Sequence, residues 1–353
     1  MNDKIENVRL RIPFSTYDIF GYVIPGGAFI LVIFLFEYYL HANYGDTLSI
    51  PIHTMISLTF PDMYVDSWIV VLIYSLILLG VAYVAGHIIS SVSSFAIDKT
   101  LVYKGYGYPY EYLLNIDKPK IERNSYSTNF YRGSFLWINI GLLSCYMFIV
   151  YSSSIYFYIL LLSILLFGLS FLLKLLFWPN VRGEKRDYFK KYFEFIYAGL
   201  YNISSKAIAN YINTQSTFSE SFNEKYKEAF KKIFDLDPKN EGSNNYWLSK
   251  CYISSKAPVL DSLLVNWLHL YSYARNLSTA FYLSFLYGIT SILILNRNAD
   301  FNDIVILWLP IFCFIVSIIM LTRYYYLYFS YYSKFLFRSF VSIYTMDRSQ
   351  TNK

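Results

Sequence analysis

The stretch Trp68-Ile-Val-Val-Leu-Ile-Tyr-Ser-Leu-Ile-Leu-Leu-Gly-Val-Ala-Tyr-Val-Ala-Gly-His-Ile-Ile89 decides the fold. It carries no formal charge, and its one imidazole, His87, sits near the end. A helix needs about 20 mostly apolar residues to cross the hydrocarbon core of a bilayer, and this run supplies them. Four more crossings and a hairpin partner follow from the same reading. Ile19–Leu40 qualifies, although Pro25-Gly26-Gly27 interrupts it and Glu37 lies near one end, where water is in reach. Phe135 to Phe177 is too long for one crossing and carries only Lys174; Ser152-Ser153-Ser154 splits it into Phe135–Tyr151 and Tyr156–Phe177. Leu277–Leu295 makes a fifth span and Ile304–Leu321, with Pro310 inside, a sixth. The first apolar run is too long for the core of a cleavable signal, and no small-residue cleavage site follows it.

Composition agrees. Of 353 residues, 56% are hydrophobic and 21% aromatic, while only 15% are charged. Water-soluble domains carry about a quarter charged residues, and the mean hydropathy here is positive at +0.35. One water-soluble core cannot hide that much apolar surface. Disordered chains lack aromatics, so 38 Tyr and 30 Phe exclude disorder. Cys145, Cys251 and Cys313 form no CxxC-type pair and no disulfide framework.

The placement of Lys and Arg tests the span count. Three precede span 1, none lies in 42–66, six lie in 90–133 and none in 152–155. Fourteen lie in 178–276, one in 296–303 and five after 321. Every second interval is basic, and basic intervals stay in the cytoplasm. The expectation is an all-α integral membrane protein with six transmembrane helices and both termini inside. Residues 1–177 hold spans 1–4 with the cytoplasmic loop 90–133, and 178–276 form a helical cytoplasmic domain. Residues 277–321 hold spans 5 and 6, and 322–353 form an aromatic and basic cytoplasmic tail. Most of the soluble mass then faces the cytoplasm of a cell bounded by a bacterial inner membrane.

Within 178–276, Phe189, Phe193, Ile196 and Leu200 recur at helical spacing. Ser221-Phe-Asn-Glu224 has the pattern of a capping box. The helix after it presents Phe222, Tyr226, Ala229, Phe230 and Ile233 on one face, with Glu228 placed to pair with Lys231 and Lys232. A later helix starts near Pro258 and runs through Trp267 and His269 into span 5. From Thr322 to Thr345 no Gly or Pro intervenes, and Arg323, Ser330, Lys334, Arg338 and Thr345 fall within an arc of about 80°. Two readings of this tail stay open: a helix on lipid headgroups, or one packed against 178–276 or another protomer. The Tyr103 to Tyr110 stretch interleaves Tyr and Lys, which can bind nucleotides by stacking and charge, although tyrosines at a membrane interface account for it better.

Enzyme chemistry is not expected. There is no GxSxG, HExxH, GxxxxGK[ST] or GxGxxG. His41, His53, His87 and His269 are dispersed, with no metal-ligand spacing. No catalytic residue, metal or cofactor is assigned. A charge at a span centre costs at least about 2.5–3.5 kcal/mol, and none is found there, which weighs against an ion-coupled transporter and a voltage sensor. Small residues recur every fourth position at Ala82, Gly86 and Ser90 and at Ala280, Ser284 and Gly288, a pattern that lets helices approach closely. Such stripes also arise in any apolar helix. Pro25, Gly26 and Gly27, with the interior polar Asn139, are candidate pore or hinge residues; a packed kink is the structural alternative. Arg182, Lys185, Arg186, Lys190 and Lys191 form the densest basic cluster. It reads either as a topogenic signal or as a site for an anionic ligand such as a nucleotide or oligonucleotide.

The opening Tyr17-Asp-Ile-Phe-Gly-Tyr-Val-Ile-Pro-Gly-Gly27 resembles the start of uncharacterised bacterial polytopic membrane proteins found with antiphage defence genes. That resemblance implies a membrane effector that opens or disrupts the inner membrane when infection is sensed. The expected partners are the lipid bilayer, further copies of the chain in a homo-oligomer, and a cytoplasmic nucleotide, oligonucleotide or partner protein. A transporter or flippase subunit, and a membrane anchor or scaffold for a soluble partner, are the alternatives.

Overall fold

The computed structural model describes residues 16–44, 68–106, 113–114, 138–147, 156, 158–160, 163–164, 218–238, 244–295 and 304–351. These are almost entirely helical, and no strand occurs among them. Helix α1 (Ile24–Tyr44) is entered through a short turn, Thr16–Asp18, and a wider π-type turn, Ile19–Val23. Helix α2 (Trp68–Ser93) leads into further π-type turns over Ser94–Tyr106. A short apolar helix covers Ile138–Met147. Then come α3 (Glu220–Phe234), α4 (Asn244–Lys256), α5 (Pro258–Leu295) and α6 (Ile304–Tyr326). A π-type turn, Leu327–Tyr332, joins α6 to α7 (Ser333–Thr351).

Among the described residues, three helical stretches are long and apolar enough to cross a membrane: Ile19–Leu40, Ser75–Lys99 and part of Trp308–Gln350. The second extends beyond the expected Ile89 because Val92, Phe95 and Ile97 prolong the apolar run. The third is 43 residues long, more than one crossing needs. On α2 the side chains of Leu72, Leu76, Val84 and Ile88 are exposed. A helix apolar on its outward face needs an apolar surrounding, and the chain is a helical membrane protein. Span 3 is described over Ile138–Met147, and span 4 only at scattered positions, so the full count of six falls partly outside the described residues. Leu277–Leu295 is helical within α5.

The chain divides into two compact units. The first gathers α1, α2 up to Val92, His269–Gly288 of α5 and Ile304–Tyr324 of α6. Its helices touch through small and hydroxyl-bearing residues. Ser278 Oγ donates to the Ser317 carbonyl at 2.8 Å, and Ser317 Oγ returns a bond to the Ser278 carbonyl at 2.9 Å. Side-chain bonds of this kind join helices where lipid offers no hydrophobic drive.

The second unit contains α3, α4, the first part of α5 and α7. Phe340 lies at its centre, fully buried, with its ring 5.3 Å from Tyr226, 5.4 Å from Tyr252 and stacked 6.1 Å from Phe234. The α7 tail thus sets its aromatic face against α3 and α4. Glu228 of α3 takes a 2.9 Å ion pair from Arg348 as well as the expected Lys232 at 3.8 Å, while Lys231 pairs instead with Asp237. The α3 cap lies two residues before the expected one. Ser219 is the N-cap, its Oγ accepting from Phe222 N–H, and Ser221 only exchanges a hydroxyl bond with it. The helix ends at Asp235 in the left-handed region, φ 52°, a conformation an Asp tolerates better than most side chains.

Candidate functional site

Proline has no N–H, so Pro25 leaves the turn before it short of a donor. In lipid such a gap must be filled by neighbours. The chain fills it in two ways. The backbone widens into the π-type turn Ile19–Val23, closed by Ile24 N–H donating to the Ile19 carbonyl. The Gly21 carbonyl receives a bond from outside the helix: Asn276 Nδ2 of α5 donates to it at 2.7 Å. Asn276 is fully buried, and its Oδ1 accepts from Arg275 Nε at 3.2 Å, which fixes the amide's direction. Arg275 is buried too.

On either side of the proline the backbone touches that of α2. A Cβ on Gly26 would stand 1.9 Å from the Ala82 carbonyl oxygen, and one on Gly86 would stand 2.0 Å from the Tyr22 carbonyl oxygen. Only glycine permits this approach. Gly27 is unlike them: its Cβ would make ordinary contact with Ala82 at 3.9 Å. Around the crossing, the Tyr22 ring stacks on His87 with centroids 3.8 Å apart, and Tyr83 meets both edge-on. Tyr17 lies 5.1 Å from the His269 ring. Burial holds His269 below the ordinary histidine value, with the charge of Asp18 opposing the shift. Its Nδ1 is buried without a hydrogen-bond partner in the structure.

The structure thus brings Pro25 and Gly26 together with Ala82 and Gly86. Ser90 lies half-buried one turn further on. In the other stripe Ala280 and Ser284 are fully buried, with Ser284 Oγ donating to the Ala280 carbonyl at 3.0 Å. A Cβ on Gly288 would meet Phe36 at 2.6 Å and Pro310 at 3.0 Å. Asn139 belongs to the second unit, half-buried on Ile138–Met147. Arg182, Lys185, Arg186, Lys190 and Lys191 lie outside the described residues.

Glu37 departs from expectation. It is buried, 7% exposed, and accepts a hydrogen bond from the Tyr287 hydroxyl of α5, so a protein donor stands where water was expected. Sequence reasoning also passed over Arg275 and Asn276. They lie just ahead of span 5 in no motif, and only the missing donor of Pro25 points to a polar partner elsewhere. Among the described residues no three His, Cys, Asp or Glu side chains gather as a metal site. Comparison with protein-family models, curated proteins and solved structures finds no match.

Proposed function

We propose that this protein is a six-span effector of the bacterial inner membrane with both termini inside. It acts as an oligomeric channel or membrane-disrupting assembly, controlled by an anionic ligand or a partner protein in the cytoplasmic segment 178–276. The observation that carries this reading is α5, an unbroken helix of 38 residues from Pro258 to Leu295. Its first residues belong to the segment read as cytoplasmic and its last to span 5, so a ligand bound there would have a continuous helix through which to bias the membrane helices. The ligand's effect cannot exceed its differential affinity for the two states. The helical continuity of α6, Leu327–Tyr332 and α7 gives a second such element. The resemblance of Tyr17–Gly27 to proteins found with antiphage defence genes supports the biological setting.

Ion flux through liposomes carrying the purified protein tests the activity, and flux indistinguishable from empty liposomes returns the chain to the anchor reading. The ligand site is tested by replacing Lys185, Arg186, Lys190 and Lys191 with Gln. Loss of toxicity or of protection in cells, at matched protein level, is expected; an unchanged phenotype makes the cluster purely topogenic.

A further inference from the structure

We propose that Asn276 is a latch on the first span: it supplies the hydrogen bond that Pro25 cannot, and so holds the turn Ile19–Val23 against α5. Pro25 has no N–H to give the carbonyl four residues before it. A buried carbonyl without a partner is costly, and Gly21 is buried. The backbone cannot pair it from Pro25. The Asn276 amide does, and Arg275 Nε on Oδ1 keeps the Nδ2 end turned toward the carbonyl. His269, Tyr273 and Asn276 lie four and three residues apart, on one face of α5. They meet Tyr17, Phe20 and Gly21 in turn, with ring separations of 5.1 Å and 5.8 Å for the aromatic pairs. Helix α2 lies against both sides of the proline, through Ala82 at Gly26 and through Gly86 at the Tyr22 carbonyl, while further along α1 Phe36 and Glu37 meet Gly288 and Tyr287 of α5. Among these contacts the Asn276 bond is the one that stands in for the donor Pro25 lacks. A shift or rotation of α5 withdraws all three contacts from that turn together. Only this last step, that the shift is driven from 178–276 and opens a pathway, rests on the effector reading.

A double-mutant cycle on the full chain in detergent tests the latch, read by amide hydrogen exchange of Ile19–Ile24. Asn276→Leu should speed exchange there by about tenfold or more, as expected for a buried acceptor left unpaired. In a Pro25→Ala background the same substitution should have at most a small effect, because an alanine at that position returns an N–H to the Gly21 carbonyl. Equal acceleration in both backgrounds overturns the proposal. Asn276→Asp keeps an acceptor for Arg275 and removes only the donor, and it should behave like Asn276→Leu. Where a single variant fails to accumulate in membranes, restored accumulation on adding Pro25→Ala supports the latch, and continued failure overturns it. Flux through liposomes made with the same proteins is scored apart. If none conducts, the wild type included, the effector reading fails while the exchange cycle still decides the latch.

Discussion

A methyl group on Gly86 would put its carbon 2.0 Å from the carbonyl oxygen of Tyr22, and the helices would have to part. The obstructing atoms are backbone, so no rotamer change relieves them. Overpacking of this kind costs about 1–3 kcal/mol, and here the stacked Tyr22–His87 pair is lost with it. Gly80 lies on the same helix with nothing within 4 Å of its would-be Cβ. Gly86→Ala should therefore lower the thermal midpoint of the purified protein by several degrees, while Gly80→Ala leaves it unchanged or raised. Equal midpoints for the two variants would mean that α1 and α2 do not meet at this crossing. That Gly86 belongs to a close contact was legible from its four-residue spacing with Ala82. Its partner was not, because a sequence pattern marks a face without saying which backbone faces it.

Among the elements, α4 shows where sequence reading stops. Asn244–Lys256 turns Asn245, Tyr246, Ser249 and Ile253 inward, so its buried face is largely polar and shows no apolar period. Those residues are buried because they are paired: Tyr226 of α3 directs its hydroxyl at Ser249 Oγ, 3.0 Å away, and at the Asn245 carbonyl, 3.4 Å away. The Tyr246 and Tyr332 hydroxyls bond one another as well. By contrast α3 and the start of α5 were readable, one from its amphipathic spacing and the other from Pro258, which suits a first helical position. The capping residue was misplaced because Ser219 and Ser221 both precede the apolar run, and the Glu224 spacing favoured the wrong one. Phe340→Ala would empty the aromatic centre that Tyr226, Phe234 and Tyr252 share, at a cost of about 3–5 kcal/mol. Tyr226→Phe keeps the ring but strands its polar partners, at about 1–3 kcal/mol. Protection of α3 and α4 amides from exchange should fall in that order, Phe340→Ala more than Tyr226→Phe. The reverse order would place the main support of this unit in the hydroxyl network.

For the whole molecule, the proposed orientation rests on charge: of the Lys and Arg outside the proposed spans, 28 fall in intervals read as inner and one, Arg297, in an outer one. Three described helical stretches are long and apolar enough to cross, and Leu277–Leu295 is helical within α5, so the proposed count of six turns on 135–177. There one contact speaks. A Cβ on Gly141 would stand 2.9 Å from Ser163 Oγ, and the Ser163 side chain is buried. Gly141 and Ser163 are equidistant in sequence from Ser152, as two residues facing each other across an antiparallel hairpin with its turn at Ser152–Ser154 must be. A single long helix would hold them more than about 30 Å apart at about 1.5 Å per residue. Reporter fusions at Tyr44, Ser153 and Asn298 should therefore report outside, and fusions at Lys118, Asn240 and Lys353 inside. Ser153 is the decisive position, because a turn there would divide 135–177 into two crossings. An inside signal at Ser153, with Lys118 and Asn240 also inside, would mean that the hairpin never crosses, and four spans would replace six.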